Sequence, residues 1–118
     1  MAEKLHWLSA IDLAGAIRSG RVTSAEALEH FVDRIERLDG PINAVVQCDR
    51  DRARRDAAAA DEAIARGDVV GPRHGVPMTI MDSFQTEGCV TTSGAPELSD
   101  HIPTEDAWPV ARLREAGA

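Results

Sequence analysis

Residues 74–84 read His-Gly-Val-Pro-Met-Thr-Ile-Met-Asp-Ser-Phe, and this stretch joins two kinds of backbone. Gly75 and Pro77 continue a loop opened at Gly71-Pro72, because glycine reaches conformations other residues avoid and proline fixes its own φ while lacking an amide hydrogen. Met78, Ile80 and Met81 follow and predict a short strand over Met78–Met81. The chain before this stretch is patterned mainly as helix. After it come an irregular loop and one more helix.

Working towards the amino terminus, Asp49 opens an alanine-rich helix through Ala53, Ala57, Ala60 and Ile64 that Gly67 ends, and such a small-residue face allows close packing. Before it, Asn43–Cys48 carries Val45 and Val46 between turn signals, which predicts a second short strand. Thr23 or Ser24 with Glu26 opens the most regular helix, with Leu28, Phe31, Val32, Ile35 and Leu38 on one face before the Gly40-Pro41 stop. Ser9 with Asp12 three residues later has the form of a capping box, and Ile11, Leu13, Ala14 and Ile17 supply an apolar stripe that ends at Gly20. His6 and Trp7 read as a packed amino-terminal anchor.

Towards the carboxyl terminus, glycines, prolines and Thr91-Thr92-Ser93-Gly94 make Gln85–Pro103 an irregular loop, of a length usually functional or covered by a partner. Thr104-Glu105-Asp106 offers caps for a last helix with Val110 and Leu113. Pro109 would clash beyond a first turn, so that helix begins near Pro109. At 118 residues the whole is expected to be one domain, residues 1–118, of α+β class: small, mainly helical, with one or two short strands.

Thirteen basic against twenty acidic side chains give a net charge of −7, which repels phosphate backbones and argues against a nucleic-acid partner. Arg50, Arg52, Arg54 and Arg55 alternate with Asp49, Asp51 and Asp56 and read as a solvated helix start. Mean hydropathy of −0.24 with no long apolar run argues against a membrane span. The first residues lack the basic and apolar regions of a secretion signal, so a cytoplasmic location is expected, with Cys48 and Cys89 as reduced thiols.

Five segments carry a family resemblance: L-S-A-I-D-L-A at 8–14, I-N-A-V-V at 42–46, H-G-V-P at 74–77, T-T-S-G at 91–94 and P-T-E-D-A at 103–107. In their order and spacing they resemble the amino-terminal part of the amidase-signature hydrolases, from Leu5 to Ala118. That resemblance implies the front part of an α/β fold whose full-length members cleave amide C–N bonds with a Ser-Ser-Lys triad. The family lysine lies in H-G-V-P-x-x-I-K-D, so Met81 stands in its place while His74, Gly75, Val76, Pro77, Ile80 and Asp82 match. The Gly- and Ser-rich segment that supplies both serines and the oxyanion hole is not among these residues. In the family the lysine is a buried amine acting as base through a bridging serine. Met81 matches its reach but offers only a weakly accepting thioether. Trp108-Pro109 is a second departure, where small or β-branched residues are expected.

Among the residues that remain, Asp82 is the acid–base candidate, since a carboxyl beside apolar groups can have a raised pKa; its other reading is an acceptor for loop amides. Met81, Ser83, Thr92, Ser93, Cys89 and His74 are candidates to line one pocket. Cys89 with His74 or His101 could make a thiolate nucleophile, against the plainer reading of a small buried hydrophobe. The histidines show no metal-ligand spacing, so no metal and no cofactor is expected. Three functional readings follow. The first is a repurposed amidase-like domain that binds or transforms a small, largely apolar metabolite, complete from Met1 to a helix cap and self-associating as a homodimer. The second is a fragment or inactivated form of an amidase. The third is a non-catalytic interaction module.

Overall fold

The computed structural model describes residues 4–118. A 3-10 turn at Leu5–Trp7 precedes α1 (Ala10–Arg18), α2 (Ser24–Leu38) and α3 (Arg50–Arg66), and a second 3-10 turn at Pro96–Leu98 precedes α4 (Trp108–Glu115). Local chemistry starts each of the first three helices. The Ser9 hydroxyl accepts from the Asp12 amide, Thr23 and Glu26 form a reciprocal capping box, and Asp49 accepts from the Arg52 amide, so each satisfies an amide that the first turn leaves open. Gly67 ends α3 in the left-handed region, at φ +81°.

α2 and α3 form an antiparallel hairpin, tied by ion pairs of Glu36 with Arg50 and of Glu29 with Arg54. At its far end the Asp61 carboxylate on α3 accepts from the amides of Ser24 at 2.7 Å and Ala25 at 3.0 Å. One helix thereby caps the start of another, placing negative charge at the positive end of α2. Leu28, Val32 and Ala57 close the interface. The larger core gathers Leu5, Leu13, Ala14, Ala16, Ile17, Val22, Ala27 and Val76. The Ser24 hydroxyl donates to the Gly75 carbonyl at 2.6 Å, which fastens the 71–77 loop to this core.

The same loop is clasped by the chain end. Arg73 donates to the Ala116 carbonyl and Gly75 to the Gly117 carbonyl, each at 2.8 Å. Such a close backbone approach demands glycine: a Cβ on Gly71 would lie 2.6 Å from the Ala116 carbonyl oxygen, and one on Gly117 2.7 Å from the His74 Cα.

Several sequence expectations are corrected. No strand forms among the described residues, so the chain is mainly helical and not α+β with one or two short strands. A strand exists only when its amides and carbonyls are paired laterally, and at Asn43–Cys48 the Asp39 carboxylate takes the Ala44 and Val45 amides instead. Met78–Met81 is likewise without a regular neighbour. Trp7 is 77% exposed and is no packed anchor; Leu5 is the buried residue of that turn. Ile11 and Leu38 are exposed as well. α4 starts at Trp108 from Ala107 with no side-chain cap, because Asp106 is engaged elsewhere, accepting from the Glu87 amide and pairing with Arg114.

Candidate functional site

The 77–84 segment leaves the core at Val76 and runs along an open trough of about 1450 Å³. Leu28 and Val32 of α2, Ala53 and Ala57 of α3, residues 76–82, the 86–91 loop and Val110, Leu113 and Arg114 of α4 form its walls. Met81, Asp82 and Cys89 line it; Ser83, Thr92 and Ser93 do not. His74 faces instead a shallower hollow of about 240 Å³ between α3 and the chain end. The structure therefore gathers three of the seven candidate residues onto one surface.

Asp82 is fixed by the loop ten residues on. Its carboxylate accepts from the Thr92 amide at 2.9 Å and from the Thr92 hydroxyl, and its carbonyl accepts from the Ser93 amide. Ser93 sits at φ +51° and Gly94 at φ +72°, the turn in which the Thr92 and Ser93 amides reach Asp82 while the Gly94 amide donates to the Thr92 hydroxyl oxygen at 3.1 Å. The Thr92 hydroxyl bond, then the Thr92 amide, hold the Asp82 carboxyl below its ordinary 3.8, while burial acts in the opposite direction. This is opposite in direction to the raised value expected from its apolar neighbours. A carboxylate so held is a good acceptor and a poor proton donor near neutrality.

Met81 is 70% exposed at the trough wall, and Ser83 is exposed. His74 is 5% exposed, with both ring nitrogens engaged: Nδ1 accepts from the Val70 amide at 3.1 Å, so Nε2 carries the hydrogen donated to the Ala60 carbonyl at 2.9 Å. That ring braces the 70–74 loop against α3 and is not directed at Cys89. The neighbour of the Cys89 thiol is Arg52, whose guanidinium lies 3.7 Å from Sγ and also donates to the Glu87 carbonyl. His101 meets the same loop through its backbone, its carbonyl accepting from the Thr91 amide.

The sequence did not single out Asp61 or the reach of Arg52 to the Glu87 carbonyl and Cys89, because these contacts span 35 or more residues; locally Arg52 shows only its alternating-charge neighbour Asp56. Among the described residues, no three His, Cys, Asp or Glu side chains are grouped to hold a metal ion. No helix among them is long and apolar enough to cross a membrane.

With this geometry in view, the comparisons with known proteins agree. The Amidase family matches residues 26–118. An acylamidase from Rhodococcus erythropolis is 40% identical over 115 residues, which are 98% of this chain and 24% of that protein. The indoleacetamide hydrolase of Bradyrhizobium diazoefficiens is 40% identical over 110 residues, 93% of this chain and 21% of that protein. The native peptide amidase from Stenotrophomonas maltophilia superposes with a TM-score of 0.87 at 32% identity, over 95% of this chain and 23% of that one. The chain spans about a quarter of the length of the curated relatives it matches. It belongs to the amidase family, as the amino-terminal part of that fold.

Proposed function

We propose that this chain is the amino-terminal scaffold of an amide-hydrolase fold, and that its trough seats the remainder of such a fold. The surface area carries this reading. The chain exposes 7739 Å² at 12.7 kDa, where a compact monomer of that mass exposes about 6200 Å². The excess, on the order of 1500 Å², is roughly twice the area one partner contributes to a standard interface of about 800 Å² a side, as a piece of a larger core would leave open. Met78, Met81 and Phe84 are all more than 40% exposed at or beside the trough, and apolar side chains in such a row mark a surface that another surface covers.

Within a complete fold, Met81 stands where the resemblance places the catalytic lysine, so this scaffold brings shape and not proton chemistry. The test is a set of chimeras that join the chain, with Met81 or with Met81→Lys, to the remaining three quarters of the Rhodococcus acylamidase. We expect no amide hydrolysis from the chain alone, and hydrolysis from the lysine chimera that exceeds the methionine chimera by several powers of ten. Turnover by the chain alone, or equal turnover by the two chimeras, overturns the proposal.

The exposed Met81 thioether favours a second reading, a small apolar ligand held at the trough wall by Met78, Ile80 and Met81 in place of amide chemistry. A hydrophobic probe that raises the melting temperature of the unmodified chain but not of Met81→Lys supports it; equal shifts in both place the ligand elsewhere.

A further inference from the structure

Two histidines from different elements meet end to end. His6 Nδ1, in the first 3-10 turn, lies 3.0 Å from His30 Nε2 on α2. The ring centres are 5.2 Å apart and the planes 11° from parallel. The difference between those two distances is about the sum of two ring-centre-to-nitrogen radii, so both nitrogens lie nearly on the line joining the centres. The rings are therefore coplanar and head to head, not face to face. Their lone pairs point at each other and not at a third point, which suits one shared hydrogen and not a metal ion.

A single hydrogen between two imidazoles sets a charge rule. With both rings neutral, one nitrogen donates and the other accepts. One added proton leaves an N–H⁺···N bond, charge-assisted and stronger. A second turns the remaining acceptor into a donor, and two cations then face one another at hydrogen-bond distance. We propose that His6 and His30 form a proton-operated clasp, which holds the amino-terminal turn against α2 while the pair carries at most one proton and releases it when both rings are charged.

The surroundings sharpen the release. Lys4 flanks His6 on its own segment, and α2 contributes Arg34 and Arg37, the latter paired with Asp33 at 2.9 Å. α1 packs on the turn through apolar residues around Leu5; its charges Asp12 and Arg18 are engaged with Ser9 and with the Pro72 carbonyl. Among the described residues, no carboxylate hydrogen-bonds to either ring. Burial, followed by Arg34, His30 and Lys4, lowers the His6 pKa from its ordinary 6.5. A depressed folded-state value means the contribution to stability is present above 6.5 and lost as pH falls through the His6 value.

The test reads amide hydrogen exchange at Trp7 and Leu8, whose amides donate to the Lys4 and Leu5 carbonyls within the turn. Protection factors, corrected for the intrinsic pH dependence, are followed from about pH 7.5 to about pH 4.5 across the histidine range. We expect at least a tenfold loss of protection at the acid end in the unmodified chain while α3 stays protected. Arg34→Gln should move the midpoint to higher pH by removing a facing cation. His30→Gln, which offers a neutral partner that cannot be protonated, should abolish the acid loss; His6→Gln gives the same readout should His30→Gln fail to fold at neutral pH. Protection constant to the acid end, or an unchanged acid loss in the glutamine variant, overturns the clasp.

Discussion

Asp82 and Met81 are adjacent in sequence and lie in opposite environments. The Asp82 carboxylate is satisfied by Thr92 and held below 3.8, so what it adds to stability is present above that value and lost as pH falls through the lower folded-state value. Thr92→Val keeps the shape of the side chain but removes the hydroxyl bond. We expect the Asp82 titration, followed by carboxyl carbon NMR, to move up towards 3.8 in that variant, and the stability of the chain to fall off at correspondingly higher pH. An unmoved titration would show that the loop amides alone hold the carboxylate. Met81 contacts mostly water in this chain, at 70% exposure. In the monomer, at concentrations well below tens of micromolar, Met81→Lys therefore buries no charge and should change stability by less than about 0.5 kcal/mol, and it should confer no amide hydrolysis. A clear loss of stability on urea unfolding would mean that position 81 is covered in solution.

The elements show which parts of the fold a linear reading reaches. Ser9 with Asp12 and Thr23 with Glu26 mark helix starts because a cap and its amide lie within one turn of each other. The strands expected over Asn43–Cys48 and Met78–Met81 do not form, for the converse reason: pairing is lateral, and alternating apolar residues cannot say whether a neighbour is present. The segment H-G-V-P pointed to the family and to the glycine at 75. It could not reveal that Asp82 would be saturated by Thr92, that Arg52 would reach Cys89, or that His74 would spend both nitrogens on backbone. Asp61 shows how strongly such distant pairings shape the molecule. Its carboxylate receives two amides of α2 from a neighbouring helix, and charged acceptors of this kind contribute about 1.5–3 kcal/mol. Asp61→Ala should cost about 2 kcal/mol in urea unfolding, whereas Thr23→Ala, losing one local cap, should cost about 1 kcal/mol. Equal losses would mean that the tertiary cap adds nothing beyond a local one. Gly117→Ala is expected to cost about 2 kcal/mol, because its φ of +94° and the approach of His74 both exclude a Cβ.

At the scale of the whole molecule, the helices are well capped and the chain is nevertheless spread. Its radius of gyration is 14.8 Å, against about 13.5 Å for a compact domain of this length. The trough between the α2–α3 hairpin and the 76–91 segment goes with this spread shape, and along it Met78, Met81 and Phe84 are all more than 40% exposed. On its own in solution such a chain has a ready way to reduce its apolar exposure, by facing a second copy across the trough. Two-fold pairing of one patch with itself is the commonest closed arrangement of identical protomers. We therefore expect the isolated chain to sediment as a homodimer at tens of micromolar, with a melting temperature that rises with concentration. Met78→Glu with Phe84→Glu, both at exposed positions, should shift it to monomer without loss of helix content. A chain that stays monomeric at those concentrations and still unfolds in one cooperative step would mean that the trough is tolerated open. In that case the hairpin, the clasped chain end and the Leu5–Val76 core hold the structure unaided.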